Sequence, residues 1–400
     1  MQGMNPQIFE WARSNAGLTL EEAAHALGIA SSDRLKAIED GSEVPTRPLL
    51  LKMSKQYRRS LLTFYLAAPP KKGDRGQDFR TLPPDRSLSG DALLDALIRD
   101  LRARQSLVRA TLELEEEQEP LAFIGSAQVS DDVAATARTL QSTMKVDLST
   151  YRGCKTPEDA FAYLRECAEN MGIFVLLVSN LGSYHTTIPV EVFRGYVIAD
   201  PIAPFVVIND QDARTAWSFT LVHEIAHLLL GSSGVSGTHG ELAIEQFCNA
   251  VAGELLLPRI DLQTLKVGNR QNLDEMLSLI SAFAGDRHIS REMVAYSLYK
   301  TGAINWPVWQ ALNVKLGEMR AQEKLRQAAR KQRKEGPSYY VVRRYHLGRA
   351  LLEFANLNVN AGTLSPVKAA KILGVNPRSV YPLLVDMPQR RFGDEQRREH

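Results

Sequence analysis

Two histidines separated by three residues carry the clearest chemical signal in the sequence. They belong to the pentapeptide His223-Glu224-Ile225-Ala226-His227, which has the HExxH pattern. Residues four apart lie on one face of an α-helix, so both imidazoles can bind the same cation. Glu224 is offset by about 100° and can hold a water bound to that cation. The spacing therefore predicts a catalytic metal site on a helix.

A third protein ligand is expected, because catalytic zinc usually has three and keeps one position open for water. The downstream helical stretch ELAIEQFCNAVAGELLLP contains Glu245, and the loop SSGVSGTHG lets the chain turn back toward the histidines. Glu241 and His239 compete for this place, although Glu241 lies near the helix start and can act as a cap. We favour Glu245. Ligation by two histidines and a carboxylate suits Zn²⁺, which is the predicted cofactor.

The segments around the motif predict an α+β domain over residues 150–302. Three β-rich runs begin at Ile173, Val192 and Pro204 and indicate a small mixed sheet. Apolar residues flank the HExxH pattern and would bury its helix, leaving a polar face toward a cleft. Helical periodicity is present in four stretches, namely Ala213–Leu230, Glu241–Leu256, Leu273–Phe283 and Ser290–Thr301.

Residues 1–68 have the pattern of a helix-turn-helix domain of five short helices. Thr19 is a candidate N-cap and Gly28 ends the same helix; Ser31 or Ser32 caps the next. That next helix is expected to expose three side chains to DNA bases or phosphates, namely Ser32, Arg34 and Lys36. Its acidic residues would repel phosphate, so docking to a protein is the alternative role.

The rest of the chain divides into four further segments. Residues 69–90 predict a linker rich in Pro, Gly and charge, and residues 91–149 predict a helical region. A basic helical linker, which includes a predicted helix at Val314–Lys334, covers 303–335. Residues 336–400 contain TLSPVKAAKILGVNPRSVYPLL, a second helix-turn-helix-like pattern that can pack on the central domain or bind a partner. The fold class predicted is thus α+β and predominantly helical.

Composition excludes several classes of protein. The 400 residues are 44% hydrophobic and 24% charged, with only 3 cysteines, which argues against a disordered chain and a disulfide framework. No apolar stretch approaches the ~18–20 residues of a membrane span, and the N-terminus is unlike a signal peptide, so we expect a cytoplasmic protein with no membrane partner. Net charge is +2, but the stretch from Glu318 to Arg349 holds ten Lys and Arg against three Glu. Contact with nucleic acid should therefore be local.

Several segments resemble the ImmA/IrrE family of zinc metallopeptidases. They are FRGYVIADPIAPFVVIND, FTLVHEIAHLLLGSSGVSG and IEQFCNAVAGELLLP. The segments LTLEEAAHALGI, EDGSEVPTRPLL, QDFRTLP and AAKILGVNPRSV resemble the branch that carries an N-terminal Xre-type helix-turn-helix. The resemblance implies a zincin-like central domain in which His223, His227 and Glu245 hold zinc and Glu224 is the general base. Cys248 replaces the alanine of the family's ExxAN pattern, a small-for-small change.

These observations lead to two hypotheses about function. The first is a zinc endopeptidase that cuts one protein partner. In the family's manner, that partner is a helix-turn-helix repressor. The same chain is expected to bind a DNA operator through its N-terminal domain, as a homodimer. Tyr184, His185, Arg194, Arg214 and His239 are candidates for stabilising the oxyanion. The second is a DNA-binding antitoxin or autorepressor whose zinc domain mainly binds a toxin. The presence of Glu224 favours the first, because a binding module needs only the metal ligands.

Overall fold

The computed structural model describes residues 4–70, 88–114, 119–232, 239–267, 272–331 and 338–385. The predicted linker 69–90 and the QDFRTLP segment therefore lie mostly outside the described residues. The described chain is predominantly helical with one small mixed sheet, which confirms the predicted fold class. None of its helices combines the length with the apolar character required to cross a bilayer.

The N-terminal helices enclose a hydrophobic core of their own. The elements are α1 (Gln7–Asn15), α2 (Leu20–Leu27), α3 (Ser32–Glu39), α4 (Arg47–Gln56) and a 3-10 helix (Leu61–Tyr65). Thr19 and Glu22 form a capping box at the start of α2, Gly28 ends it in the left-handed region (φ +68°), and Ser31 caps α3. Five helical segments are present as predicted, although the last is a 3-10 turn.

Among the described residues, four further helices lie between the N-terminal helices and the sheet. They are α5 (Leu88–Leu112), α6 (Val133–Thr143), α7 (Leu148–Arg152) and α8 (Pro157–Asn170). Side-chain caps mark the starts of α6, α7 and α8, where Asp132, Asp147 and Thr156 each accept a hydrogen bond from a backbone N–H of the first turn. These caps fix the residues at which the three helices begin.

The sheet has three short strands, all fully buried. They are β1 (Phe174–Leu177), β2 (Gly195–Ile198) and β3 (Phe205–Ile208), in the order β1-β3-β2. β1 runs parallel to β3, with Phe174 opposite Phe205, whereas β2 runs antiparallel to β3, with Gly195 opposite Ile208. The three β-rich runs of the sequence thus form the mixed sheet that they predict.

The helices after the sheet build the main core. They are α9 (Arg214–Leu229), α10 (His239–Leu256), α11 (Arg259–Leu262), α12 (Leu273–Gly285) and α13 (Arg291–Lys300). α9 packs on β2, β3 and α8, where the rings of Trp217 and Phe161 meet edge to face at 5.2 Å. Because nearly every residue of α9 after its first turn is buried, the helix is rigidly held, which suits an element that carries a site.

The basic helix begins eight residues earlier than the sequence predicts. α14 spans Trp306–Lys331, because the side chain of Asn305 accepts a hydrogen bond from Val308 N (3.1 Å) and Pro307 fits the first turn. Leu312 and Leu316 of α14 are buried in the main core. The predicted helix Val314–Lys334 thus includes only the basic part of α14. The last three residues of the predicted helix, 332–334, lie outside the described residues.

The C-terminal helices follow α14 in the described part of the chain. They are α15 (Tyr339–Leu347), α16 (Arg349–Asn360), α17 (Pro366–Leu373), a 3-10 turn (Pro377–Ser379) and α18 (Val380–Leu384). α15 and α16 pack on β1, and α16 also packs on α8. The rings of Phe354 and Phe174 meet at 6.0 Å, and Arg165 of α8 donates to the carbonyl of Tyr345. Of the two roles considered for this segment, packing against the central domain is therefore the one that its contacts show.

Two compact units divide the chain. The first comprises Met1–Arg102, Ser179–Arg194 and Gly234–Glu241, and the second comprises Ala103–Val178, Gly195–Ser233 and Leu242–His400. The sheet, α9 and the C-terminal helices all belong to the second unit. The segment limits predicted from the sequence remain predictions.

Candidate metal centre

Three buried side chains from two helices meet at one point in the second unit. His223 and His227 extend from the same face of α9, and Glu245 comes from α10. His227 Nε2 lies 2.8 Å from Glu245 Oε1 and 3.1 Å from His223 Nε2, and His223 Nε2 lies 3.4 Å from Glu245 Oε2. Each of the three residues is at most 4% exposed, so water screens this cluster weakly.

These distances suit a zinc ion. Four ligands at 2.0–2.1 Å around a tetrahedral ion lie about 3.3 Å from one another, close to the separations within this cluster. Two imidazole nitrogens and a carboxylate oxygen all present lone pairs to the shared space, so a proton or a cation must lie among them. The donor set, two nitrogens and an oxygen without a thiolate, is one that zinc takes in catalytic sites.

The pKa shifts of the cluster also indicate a place for positive charge. Burial alone would lower the pKa of His227, but its hydrogen bonds to Cys248 and Glu245 raise it well above the ordinary value. Burial alone would raise the pKa of Glu245, but hydrogen bonds and charge interactions with His223 and His227 lower it to about 2. A carboxylate that stays ionised while it is buried is suited to hold a cation.

Further contacts orient the two histidines. The ring of Phe219 stacks on His223 at 6.2 Å, one turn earlier on α9. His227 Nδ1 lies 3.4 Å from Ser232 Oγ, and His227 also hydrogen bonds to Cys248. Partners on the second ring nitrogen fix the orientation of a ligating histidine, so these contacts preorganise the site. Burial raises the pKa of the Cys248 thiol, which keeps this residue neutral.

Glu224 lies next to His223 on α9 and is 4% exposed. The helix turns about 100° between neighbouring residues, so the Glu224 carboxylate leaves α9 in a different direction from the two imidazoles. The arrangement therefore keeps a carboxylate beside the cluster without making it part of the ligand group of His223, His227 and Glu245. Chemically, such a group can accept and return a proton.

Comparison with known families identifies the region around this cluster. The family model of the IrrE N-terminal-like domain (Peptidase M78) matches residues 171–299. Residues 171–299 form an IrrE N-terminal-like domain. The match covers the sheet, the HExxH helix and Glu245, but it does not extend to the N-terminal helices or to the C-terminal helices. Searches of curated proteins and of solved structures returned no match.

A segment outside the match covers the end of the HExxH helix of the IrrE-like domain. The backbone N–H groups of Gly125 and Ala127 donate to the last carbonyls of α9, those of Leu228 (3.0 Å) and Leu229 (2.9 Å). Gly231 follows in the left-handed region (φ +64°) and lies against Gly125, where a side chain would meet backbone at 3.2 Å. No local pattern in the sequence indicates this contact, because the two segments are about a hundred positions apart.

The other candidates around the IrrE-like site have different outcomes. The side chains of His239 and Glu241, the competitors for the third ligand, lie outside the described residues.

Among the candidates for stabilising the oxyanion, Arg214 stacks on the ring of Trp217 at 3.9 Å and pairs with Glu158. It also precedes His223 by nine residues, about 13 Å along the helix axis, so Arg214 is not placed to stabilise an oxyanion. Tyr184, His185 and Arg194 belong to the first unit and stay predictions for that role.

The DNA-contact candidates lie on α3 in the first unit. Arg34 and Lys36 are exposed, and each pairs with an acidic residue nearby: Arg34 with Glu43 and Lys36 with Asp40, both at 2.8 Å. Ser32 is the first residue of α3 and is half-buried, while its neighbour Ser31 serves as the cap. The two basic side chains are therefore accessible to a ligand that can replace their carboxylate partners.

Proposed function

We propose that this chain is a zinc-dependent endopeptidase that cuts a specific partner protein, such as a helix-turn-helix transcriptional repressor. The observation that carries the proposal is the buried group of His223, His227 and Glu245. Glu224 lies beside this group, on the helix that carries the two histidines. A binding or structural metal site needs the three ligands alone, whereas hydrolysis also needs a base. The IrrE-like match over 171–299 supports the same class of reaction.

In this proposal each side chain has a distinct task. His223, His227 and Glu245 would hold the zinc, which supplies a Lewis acid that polarises a peptide carbonyl and acidifies water. Glu224 accepts the proton of the attacking water and passes it to the leaving amine nitrogen. Cys248, Ser232 and Phe219 keep the two imidazoles in orientation, and burial strengthens these interactions.

A cleavage assay tests the proposal. Zinc-loaded protein is incubated with the products of its neighbouring genes, and wild type is compared with Glu224→Gln and His223→Ala. We expect a new fragment only with wild type, zinc retained in Glu224→Gln, and zinc lost in His223→Ala. Cleavage by Glu224→Gln at the wild-type rate would contradict the base assignment. A stable complex that is not cut by wild type would favour the antitoxin-like alternative.

We further propose that the N-terminal helices bind the operator of the chain's own promoter, with α3 in the major groove and two copies on two half-sites. Arg34 and Lys36 support this because both are exposed on α3 and their partners, Glu43 and Asp40, are exposed as well. Surface ion pairs contribute little, so phosphate can replace these carboxylates. A mobility-shift assay and a mass measurement in solution test the DNA binding and the dimer.

A further inference from the structure

Gly195 lies against the carboxylate of Glu224. It is the first residue of β2, one of the two edge strands of the described sheet, and α9 packs across this strand. A Cβ atom built on Gly195 would lie only 2.2 Å from Glu224 Oε1 and 2.8 Å from its Cδ. The third close atom is the methyl carbon of Thr220, also at 2.8 Å. No side chain fits at position 195 unless these groups move.

The backbone gives no reason for a glycine at this position. Gly195 is not among the glycines with a positive φ, and it pairs with Ile208 in a regular antiparallel ladder. Glycine weakens a strand, and its presence inside one often marks the close approach of another group. Here that group is the carboxylate that the proposed function uses as the base.

We propose that Gly195 is a positioning residue for Glu224, and this inference rests on the proposed function. The missing side chain leaves the space in which the Glu224 carboxylate lies, against the backbone of β2 and beside the metal ligands. A methyl group at position 195 displaces the end of a flexible side chain, which disturbs folding little but moves the carboxylate. The three atoms nearest to that methyl belong to Glu224 and Thr220, so the metal ligands are not its first target.

A chemical probe for the carboxylate tests this without knowledge of the substrate. Acetohydroxamate chelates zinc and donates a hydrogen bond to a carboxylate beside the metal. Its affinity for the zinc-loaded protein is measured by calorimetry in wild type, Gly195→Ala, Glu224→Gln and the double variant. We expect Gly195→Ala to keep one zinc and to bind the probe about 10- to 100-fold more weakly, the ratio for one lost hydrogen bond to a charged group. The double variant should bind no more weakly than Glu224→Gln alone, because the two changes remove the same contact.

Two further variants separate positioning from packing. Gly253→Ala is the matched control, because nothing lies within 4 Å of a Cβ at that position of α10, and we expect wild-type probe binding. Gly195→Ala combined with Thr220→Ser removes the methyl at 2.8 Å and keeps the hydroxyl that donates to Ala216 O, so only the Glu224 contact remains. We expect this variant to hold zinc and still bind the probe weakly.

Three results would overturn the inference. They are wild-type probe binding by Gly195→Ala, a loss that adds in full to that of Glu224→Gln, and loss of zinc or of folding in the Gly195→Ala/Thr220→Ser variant. None of these three results contradicts the proposed function, provided that the wild-type protein holds zinc and cuts its partner. A wild-type protein that takes up no zinc would instead overturn both proposals.

Discussion

The N-terminal helices α1 to α4 and the C-terminal helices α15 to α18 carry similar local signals but bury their side chains against different partners. In both, a Ser or Thr cap opens a helix of eight residues that ends at a glycine in the left-handed region, Gly28 in α2 and Gly374 in α17. The N-terminal helices pack around Leu35, Leu50 and their neighbours in a core of their own. The C-terminal helices α15 and α16 pack on β1 of the IrrE-like region, and α16 also packs on α8, which precedes that region.

Arginine side chains show what this difference means for function. Arg34, on the helix expected to read DNA, is exposed and bonded to one carboxylate. Arg343 donates to the carbonyls of Leu373 and Gly374, and Arg344 donates to those at the end of α18. The positive charge of the C-terminal region is thus partly used to hold backbone. A helix-turn-helix pattern in sequence does not by itself predict a nucleic-acid surface.

Two arginines that each pair with a buried glutamate allow the largest test of this comparison. Arg13 bonds to Glu39 inside the N-terminal core (2.7 Å), whereas Arg165 pairs with Glu169 (3.2 Å) and donates to carbonyls of β1 and α15. Removal of either arginine leaves a buried carboxylate without its partner, which costs about 3–5 kcal/mol. Arg165→Ala should be the more damaging, because three backbone carbonyls also lose a donor, whereas Arg13→Ala removes the donor of one carbonyl, that of Leu18.

Hydrogen exchange locates the two effects. We expect Arg165→Ala to raise exchange in Tyr339–Leu384 and around β1, and Arg13→Ala to raise it in Gln7–Tyr65. If both variants raised exchange equally across the whole chain, the two helical regions would not have the separate packing partners described here. Arg165→Met is a useful companion variant, since it keeps most of the length of the side chain and removes only the charge and the hydrogen-bond donors.

The elements of the fold follow from the sequence because their signals are local. Caps, breaking glycines and β-rich runs lie next to the residues that they organise, so the three strands and the helices α9, α10, α12 and α13 could be predicted. The HExxH spacing fixed one face of α9 in the same way. The sequence favours Glu245 over Glu241 and His239 without deciding among them, because the loop between the two helices determines which turn of α10 faces α9.

Contacts between distant segments could not be predicted. Arg165 and Glu169 are four residues apart, a spacing typical of a solvated pair on a helix, but residues 180 positions away cover them. Gly195 has no pattern that distinguishes it from other strand glycines until Glu224 is placed beside it. The cover of α9 by Gly125 and Ala127 is a similar case, since only the folded chain brings those segments together.

A glycine pair gives a second, smaller test. Gly28 and Gly374 have φ values of +68° and +60°, so alanine at either position costs about 1 kcal/mol through the left-handed backbone. At Gly28 the nearest atom to a new Cβ is Lys52 Nζ at 3.6 Å, but at Gly374 the Arg104 guanidinium lies at 2.2 Å. Because Arg104 is buried, Gly374→Ala should cost about 1–3 kcal/mol more.

Urea unfolding of the two alanine variants measures that difference. The comparison of helical regions predicts that Gly374→Ala lowers the unfolding midpoint distinctly and Gly28→Ala only slightly. Equal shifts would mean that the C-terminal helices are not packed against Arg104 as tightly as described.

The smallest expected effect on stability concerns the exposed basic residues. Arg34→Ala with Lys36→Ala should leave the melting temperature almost unchanged and abolish the mobility shift on the operator. Arg344→Ala should instead lower the free energy of unfolding by about 1–2 kcal/mol and leave the mobility shift unchanged. Lys368→Ala with Arg378→Ala removes the same charge from exposed C-terminal positions and serves as the control. An unchanged shift in the Arg34 and Lys36 variant would refute DNA binding through α3.

The central claim is that His223, His227 and Glu245 hold one zinc ion beside the base Glu224. Metal analysis of the purified protein tests it most directly, with circular dichroism to check folding. The account predicts one zinc per chain in wild type and in Glu224→Gln, and none in folded His223→Ala or Glu245→Gln. A folded wild-type protein without zinc after incubation with the ion, or zinc retained in His223→Ala, would contradict it.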